Sequence, residues 1–299
     1  MATKQRSRSR RSGPSRDRGP RYVAPVLDPN WHSPYSPTHA EKHANHKIVR
    51  AFALRKKLPQ SIGVAVVVLA LVAGVIVVPW LPVVGIAIAL LYAWDLRRAL
   101  VRYEAKGLAL GNLVLDQFKI GGTETDRLRL TTVMDRLSAT FGVDAVSTYI
   151  VSDPGYNAAL VPSGTGLSFF VTDAVMRDFE LIEFEGVVAH CLARHRLGLL
   201  LRESVAAVAV TSDESRRALA GQGLAYRADE VAAAAIRYPP GLAGALRRCA
   251  AQELSSTSFF AGATYAQWRW IWFDMWSGRV SDLSDLDDVE LRARALEEW

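Results

Sequence analysis

Cysteine is scarce in this chain of 299 residues, which contains only Cys191 and Cys249. Two thiols exclude the multi-bridge framework that stabilises small secreted domains. With no secretory signal peptide recognisable at the start, we expect both thiols to be reduced, as in the cytoplasm. Internal repeats are also lacking, and the length suits one sizeable domain with appendages.

Acidic residues are scarce in the first 60 positions, which hold 14 Lys and Arg against 3 Asp and Glu. Residues 61–299 reverse the balance, with 22 Lys and Arg against 27 Asp and Glu. The net charge of +6 therefore arises in an N-terminal arm. Residues 1–37 are rich in Arg, Ser, Pro and Gly without apolar periodicity, which predicts a disordered basic tail.

The basic run at residues 6–11, RSRSRR, has two interpretations. It can contact anionic lipid or RNA. The simpler interpretation is a solvated tail that helps to fix membrane orientation. Contact with anionic lipid is kept as a hypothesis, and specific nucleic-acid binding is not expected, because charge alone supports it.

Charge is absent from residues 62–78, and an apolar run resumes at 83–94 after Pro79 and Pro82. One helix over both runs would be about 50 Å long, against a hydrocarbon core of about 30 Å. The prolines therefore predict a two-span transmembrane hairpin at residues 61–96. The alternative is a buried helical hairpin of a soluble protein.

Basic residues flank both ends of this apolar region, and the turn between the runs has none. The positive-inside rule then places both ends in the cytoplasm. We expect a multi-pass protein of the inner membrane, with its tail and folded domain on the cytoplasmic side and the lipid bilayer as a partner. The excess of Arg (29) over Lys (7) fits a GC-rich bacterial genome.

A juxtamembrane helix is predicted at residues 38–60. Its start is indicated by Thr38 and Glu41, which have the spacing of a capping box. The residues His39, His43 and His46 then share one face. They form either a metal-binding or pH-sensing stripe or the polar face of the helix. No carboxylate or cysteine completes a metal set, which favours the polar face.

Residues 188–195 read VAHCLARH. In a zinc-peptidase helix of HExxH type, two His one turn apart bind the metal and Glu is the general base. In this chain His190 occupies the position of the first metal ligand. Cys191 occupies the position of the general base, and Arg194 occupies the position of the second ligand. Arg194 is permanently charged and has no lone pair, so it repels a metal. His195 is no substitute, because residues five apart differ by roughly 140° in direction.

The pattern over residues 110–299 predicts an α+β domain that is mostly helical with a small sheet. Strands are predicted at 146–151 and 168–172, and helices at 125–141, 172–179, 183–201, 224–236, 242–254 and 287–298.

Three segments follow one another in a specific order before the His190 helix. They are the turn Asp153, Pro154, Gly155, Tyr156, Asn157, Ala158; the strand end Phe170, Val171, Thr172; and residues 183–190, EFEGVVAH. In this order and spacing, residues 110–299 and the hairpin resemble the HtpX-like membrane zinc metallopeptidases, relatives of the prenyl-protein processing proteases. The resemblance implies a zincin-like metallopeptidase domain.

The resemblance also implies a third metal ligand, a Glu in the pattern Glu-x-x-Ala-Asp. The matching positions are Ala225 and Asp229, and the resemblance gives Asp229 the task of orienting a ligand imidazole. Cys191, Arg194 and Ala225 all depart from the family pattern, so the chain resembles a degenerate member. His190 is either a residual metal ligand or a buried His bonded to a group such as Asp229.

A cysteine nucleophile is an alternative for Cys191. It would need a neighbouring base and electropositive surroundings. Arg194 can share its helix face, whereas His190 points about 100° away. A small buried thiol in place of Glu is the simpler interpretation.

We therefore expect a membrane-anchored, non-catalytic pseudoprotease without a cofactor, which binds a polypeptide or partner protein through the former active-site cleft. The resemblance implies binding along an edge strand. The matching residues are Ser168, Phe169, Phe170, Val171 and Thr172. The alternative is an active zinc metalloendopeptidase of membrane-protein quality control that uses non-standard ligands.

An aromatic cluster near the C-terminus has two interpretations. It either faces a partner or the bilayer interface, or closes the core as a strand and loop. Its members are Tyr265, Trp268, Trp270, Trp272, Phe273 and Trp276.

Overall fold

A computed structural model describes most of the chain after the predicted tail. The described residues are 35–74, 80–164, 166–221, 223–275 and 288–299. Within them the protein is mostly helical with one three-stranded sheet, which confirms the α+β class. Of the predicted disordered tail, residues 1–34 lie outside the described part.

The first helix, α1, spans His39–Ala73 and begins where the sequence predicts. The Thr38 hydroxyl accepts a hydrogen bond from the backbone N–H of Glu41 at 3.1 Å. The Glu41 carboxylate binds Arg227 of the domain instead of closing the capping box. The helix continues through Pro59, so no structural break separates the predicted juxtamembrane segment from the first apolar run.

Helix α2, Leu81–Leu108, packs antiparallel along α1. Polar contacts join the pair at Arg50–Glu104, Lys57–Asp95 and Ser61–Tyr92. Apolar side chains on both helices are exposed, as at Leu69 (68%) and Leu90 (66%). Among the described residues, only α1 has the length and hydropathy of a membrane span. Both membrane spans therefore stay predictions.

The sheet has the order β1-β3-β2. Strand β1 is Val146–Val151, as predicted, β2 is Ala158–Ser163 and β3 is Gly166–Thr172. Strand β1 runs parallel to β3, and β2 runs antiparallel to it. Strand β2 was not predicted, because a short apolar run without alternation carries no strand signal of its own.

The prediction that residues 168–172 form an edge strand is wrong, because β3 is the central strand of the sheet. Both edges of β3 are paired in the sheet, so residues 168–172 do not form an edge strand open to a polypeptide. Their side chains are also buried: Ser168, Phe169, Phe170, Val171 and Thr172. An edge position cannot be inferred from one strand's sequence, because strand order depends on which other strands pair with it.

Helices surround the sheet and form most of the core. Their bounds are α3 Leu110–Gln117, α4 Glu124–Phe141, α5 Asp173–Asp178, α6 Leu181–Arg196, α7 Leu200–Ala209, α8 Asp213–Ala220, α9 Leu224–Ala235, α10 Pro239–Ala250, α11 Ala263–Trp268 and α12 Val289–Glu297. Short 3-10 turns span Phe259–Ala261 and Arg269–Ile271.

Helix α6 is shorter than predicted and lies at the centre of the core. It ends at Arg196, and Gly198 with φ +74° begins a turn into α7, so the predicted helix 183–201 is two helices. Glycine adopts this backbone conformation without the steric penalty of a Cβ atom. Helix α6 contacts α4, α9, α10 and β2, which buries most of its side chains.

Candidate functional site

His190 lies in the middle of α6 and is 1% exposed. Its Nδ1 is 2.7 Å from Oδ1 of Asp229 on α9. Burial lowers the pKa of His190 to about 4, although Asp229 opposes this shift. The imidazole is therefore neutral at pH 7 and donates its Nδ1 proton to Asp229. His190 is thus buried and hydrogen-bonded to Asp229, as one of the two interpretations expects.

Asp229 is shared between His190 and Arg292 of α12. The Arg292 Nε donates to Oδ2 at 2.6 Å and its Nη2 to Oδ1 at 3.1 Å. Burial alone would raise the pKa of Asp229, but Arg292 and His190 together hold it below its usual value. The carboxylate is thus ionised and fixes the ring of His190. Arg292 has no predicted role, because 63 residues separate it from Asp229 in the sequence.

Arg194 forms a buried, bidentate ion pair with Glu203 of α7. Its Nη2 is 2.6 Å from Oε2, and its Nε is 3.2 Å from Oε1. The side chains are buried, with Arg194 3% and Glu203 6% exposed. The guanidinium also donates to the carbonyls of residues 270, 271 and 272. Glu203 was not predicted as a site residue, because its only signal in the sequence is an acidic residue within an apolar segment.

A small pocket joins the positions that the resemblance aligns with metal ligands. His190, Arg194 and Ala225 all line it, together with Glu203. Its volume of about 20 Å³ is enough for roughly one water molecule. The structure thus brings together the three aligned positions from two helices, α6 and α9.

The residues of this pocket do not fit a catalytic zinc ion. They offer one imidazole and one carboxylate, and Arg194 already binds that carboxylate. Catalytic zinc sites use about three protein ligands and a water. No cluster of three or more His, Cys, Asp or Glu suited to a metal occurs within the described ranges.

Cys191 is fully buried and is not among the residues that line the pocket. Its thiol contacts the backbone of Leu160 in β2. Burial raises the pKa of Cys191 to about 12, despite the nearby charge of Arg194. A thiol that stays protonated at neutral pH is a poor nucleophile, which disfavours cysteine catalysis.

The turn at the start of β2 has a structural role. Asp153 accepts a hydrogen bond from the Ser258 hydroxyl at 2.7 Å, whereas Pro154 is exposed. The Asn157 amide donates to the carbonyl of Asp274 at 3.0 Å and accepts from its N–H at 2.9 Å. These bonds hold the segment around residue 274 against the sheet.

That segment covers part of the outer edge of β2. The Phe273 N–H donates to the carbonyl of Ala158 at 2.7 Å, and Ala159 forms an antiparallel bridge with Trp272. The aromatic residues here close the core, as one interpretation expected, but mainly as helical turns instead of a strand. The buried members are Tyr265, Trp268, Trp270, Trp272 and Phe273; Trp276 lies outside the described residues.

The depressed pKa of His190 predicts a loss of stability in acid. The unfolded residue takes up a proton near pH 6.5, but the folded one does so only near pH 4. The unfolded state thus binds more protons in this window, so the contribution is present above pH 6.5 and is lost as the pH falls towards 4. This contribution to the free energy of unfolding is at most about 3 kcal/mol.

Urea unfolding at pH 7.5 and 4.5 measures this effect. The variant His190→Gln has no titrating ring and should lose less stability than the parent between these pH values. His39→Gln is the control, because His39 is exposed on α1. An equal loss in His190→Gln and the parent contradicts the assignment.

The site thus holds two separate buried groups, the His190–Asp229–Arg292 cluster and the Arg194–Glu203 ion pair, both of which include a residue of α6. It can fix α6, α7, α9 and α12 relative to one another, and it lacks a free metal-ligand set or an activated nucleophile in the described residues. Comparison with protein-family models and with curated proteins found no match to this chain.

Proposed function

We propose that this protein is a membrane-anchored, non-catalytic relative of the HtpX-like zinc metallopeptidases. The observation that carries the proposal is the Arg194–Glu203 ion pair. It stands where the resemblance gives the second metal ligand, and a guanidinium has no lone pair to donate. The proposal includes a zincin-like domain attached to a two-span hairpin in the inner membrane.

The pairing of His190 with Asp229 supports the proposed alignment. Metal-ligating imidazoles commonly donate their other ring proton to a carboxylate, which fixes the tautomer and the ring. His190 has this arrangement with Asp229 at 2.7 Å. An inactive relative retains such a bond where it stabilises the fold, because a buried imidazole without a partner is unfavourable.

In this proposal the domain binds a polypeptide or partner protein through the former cleft. The backbone bond from Phe273 to Ala158 and the bridge of Trp272 with Ala159 occupy the β2 edge beside that cleft. An extended polypeptide can pair with β2 at these positions only when this segment moves aside. Partner binding is therefore expected to be coupled to displacement of residues 270–275.

Metal analysis tests the non-catalytic assignment. We expect protein purified in detergent to hold less than about 0.2 zinc per chain, because one imidazole and one engaged carboxylate are too few ligands. Mass spectrometry of the metal content gives the ratio. Near-stoichiometric zinc that disappears in His190→Ala would instead support the active zinc endopeptidase.

Labelling of introduced cysteines tests the membrane topology. We expect Ser15→Cys and Glu298→Cys to react from the same, cytoplasmic side, because basic residues flank both ends of the apolar region. The background is low, since Cys191 and Cys249 are buried. Labelling from opposite sides would show a single span and would reject the hairpin.

A further inference from the structure

A second cavity lies between α1 and the domain and shares no lining residue with the pocket at His190. Its volume of about 370 Å³ is within the usual range for small-molecule sites. Its walls come from α1, the end of α2, the connection between α4 and β1, the adjoining ends of β2 and β3, and α6 and α7 with the turn between them. The cavity depends on the docking of α1, because two of its polar residues belong to that helix.

One part of this cavity carries basic side chains. Lys42 and His46 lie one turn apart on α1, and His195 comes from α6. The ring of His46 packs against the turn after α6, since a Cβ atom added at Gly198 would lie 2.9 Å from its Cδ2. Asp144 is the only acidic residue among those that line the cavity.

The rest of the wall is largely apolar. Its apolar residues include Leu108, Val143, Pro162, Leu167, Leu200 and Leu201. An apolar cavity with a few polar groups at one side binds ligands that combine an apolar body with a polar end. Lys42 is cationic, and His46 and His195 become cationic on protonation, against the single carboxylate of Asp144. An anionic end is therefore favoured over a cationic one when the imidazoles are protonated.

We propose that this cavity binds a single-chain amphiphile with an anionic head group, either a carboxylate or a phosphate. The head group contacts Lys42, His46 and His195, and the chain lies along the leucine side chains. This site is independent of the proposed pseudoprotease function. It would bind its ligand whether or not the domain ever binds a polypeptide.

Binding should strengthen as the pH falls from 8 to 6. Burial lowers the pKa of His46, and the charges of Lys42 and His43 lower it further. Burial likewise lowers the pKa of His195; Lys42, His46 and Arg196 act in the same direction, and Asp144 opposes them. Both imidazoles are thus neutral at pH 8. A bound anion stabilises their protonated forms, so protonation and binding reinforce each other.

Calorimetric titration of the full chain in lipid nanodiscs at pH 6 tests the proposal, with empty nanodiscs subtracted. The probes are octyl phosphate, octanoate and the cationic octylamine. We expect both anions to bind and the amine to bind at least about tenfold more weakly. Whichever anion binds more tightly identifies the head group as phosphate or carboxylate, and either result supports the site.

Matched variants locate the binding. Lys42→Gln with His195→Gln should weaken octyl phosphate at least about tenfold. His39→Gln with Lys47→Gln, two exposed positions of α1 outside the cavity, should leave the affinity within about twofold. Ala145→Phe, at an exposed lining position, should also reduce binding by filling the space. Equal affinities in both double variants, amine binding as tight as anion binding, or no heat above empty nanodiscs would each overturn the proposal.

Discussion

The double variant Arg194→His with Ala225→Glu is expected to bind zinc at least about 100-fold more tightly than the parent. Both positions line the pocket that contains His190. Residues 190 and 194 are one helical turn apart, so two imidazoles would face the same space. The new Glu would add a third ligand, which brings the set to the number that catalytic zinc requires.

Two features of the structure favour this result. The bond from His190 Nδ1 to Asp229 leaves Nε2 as the ring atom that can ligate a metal. Replacing Arg194 also removes a buried cation and releases the Glu203 carboxylate, which already lines the pocket. Both changes favour a dication, because charges interact more strongly away from water.

Competition with a chromophoric chelator measures the zinc affinity. Arg194→His with Ala225→Gln is the matched control, since Gln has the shape of Glu without its charge, and it should bind more weakly. Adding His190→Ala to the double variant should abolish the gain. A folded double variant that takes up no zinc would show that the alignment of the ligand positions is wrong.

Catalysis is a separate question from metal binding. Cys191→Glu would place a carboxylate at the position of the general base in an HExxH helix. The thiol of Cys191 is fully buried beside Leu160 and does not line the pocket. A Glu there would be desolvated, so we expect the triple variant to bind zinc but to have weak proteolytic activity.

The variant Glu203→Leu is expected to lose about 3–5 kcal/mol of stability, because it leaves Arg194 as a buried and uncompensated charge. The double variant Arg194→Met with Glu203→Leu should recover much of this loss, since apolar residues can replace a buried ion pair. The double variant should still be less stable than the parent. The carbonyls of residues 270–272 lose the donor that Arg194 provides.

Thermal unfolding in detergent, followed by tryptophan fluorescence, measures these differences. A loss of this size should lower the unfolding midpoint of Glu203→Leu by roughly 10 °C. The exposed pair Arg247–Glu297 is the control, and its replacement by Met and Leu should leave the midpoint nearly unchanged. A double variant at Arg194 and Glu203 that is less stable than Glu203→Leu alone would contradict this account.

Local features of the fold could be predicted from the sequence. Thr38 starts α1, Thr172 starts α5, and β1 has the predicted bounds Val146–Val151. Caps and periodicity depend on residues within a few positions of one another, so a single sequence contains that information. The grouping of His190 with Asp229 was also anticipated, because the resemblance supplied the long-range pairing that periodicity lacks.

Long-range pairings were decided by the tertiary structure. The pairing of Arg194 with Glu203 depends on the turn at Gly198, and that of Asp229 with Arg292 on the packing of α12 beside α9. The central place of β3 depends on β2, which had no strand signal in the sequence. A buried charge is stable only beside its partner, and a strand's neighbours are chosen by the whole sheet. The sequence by itself therefore determined the local elements and the absence of a complete HExxH pattern at residues 190–194, whereas the three-dimensional packing decided that Arg194 pairs with Glu203 there.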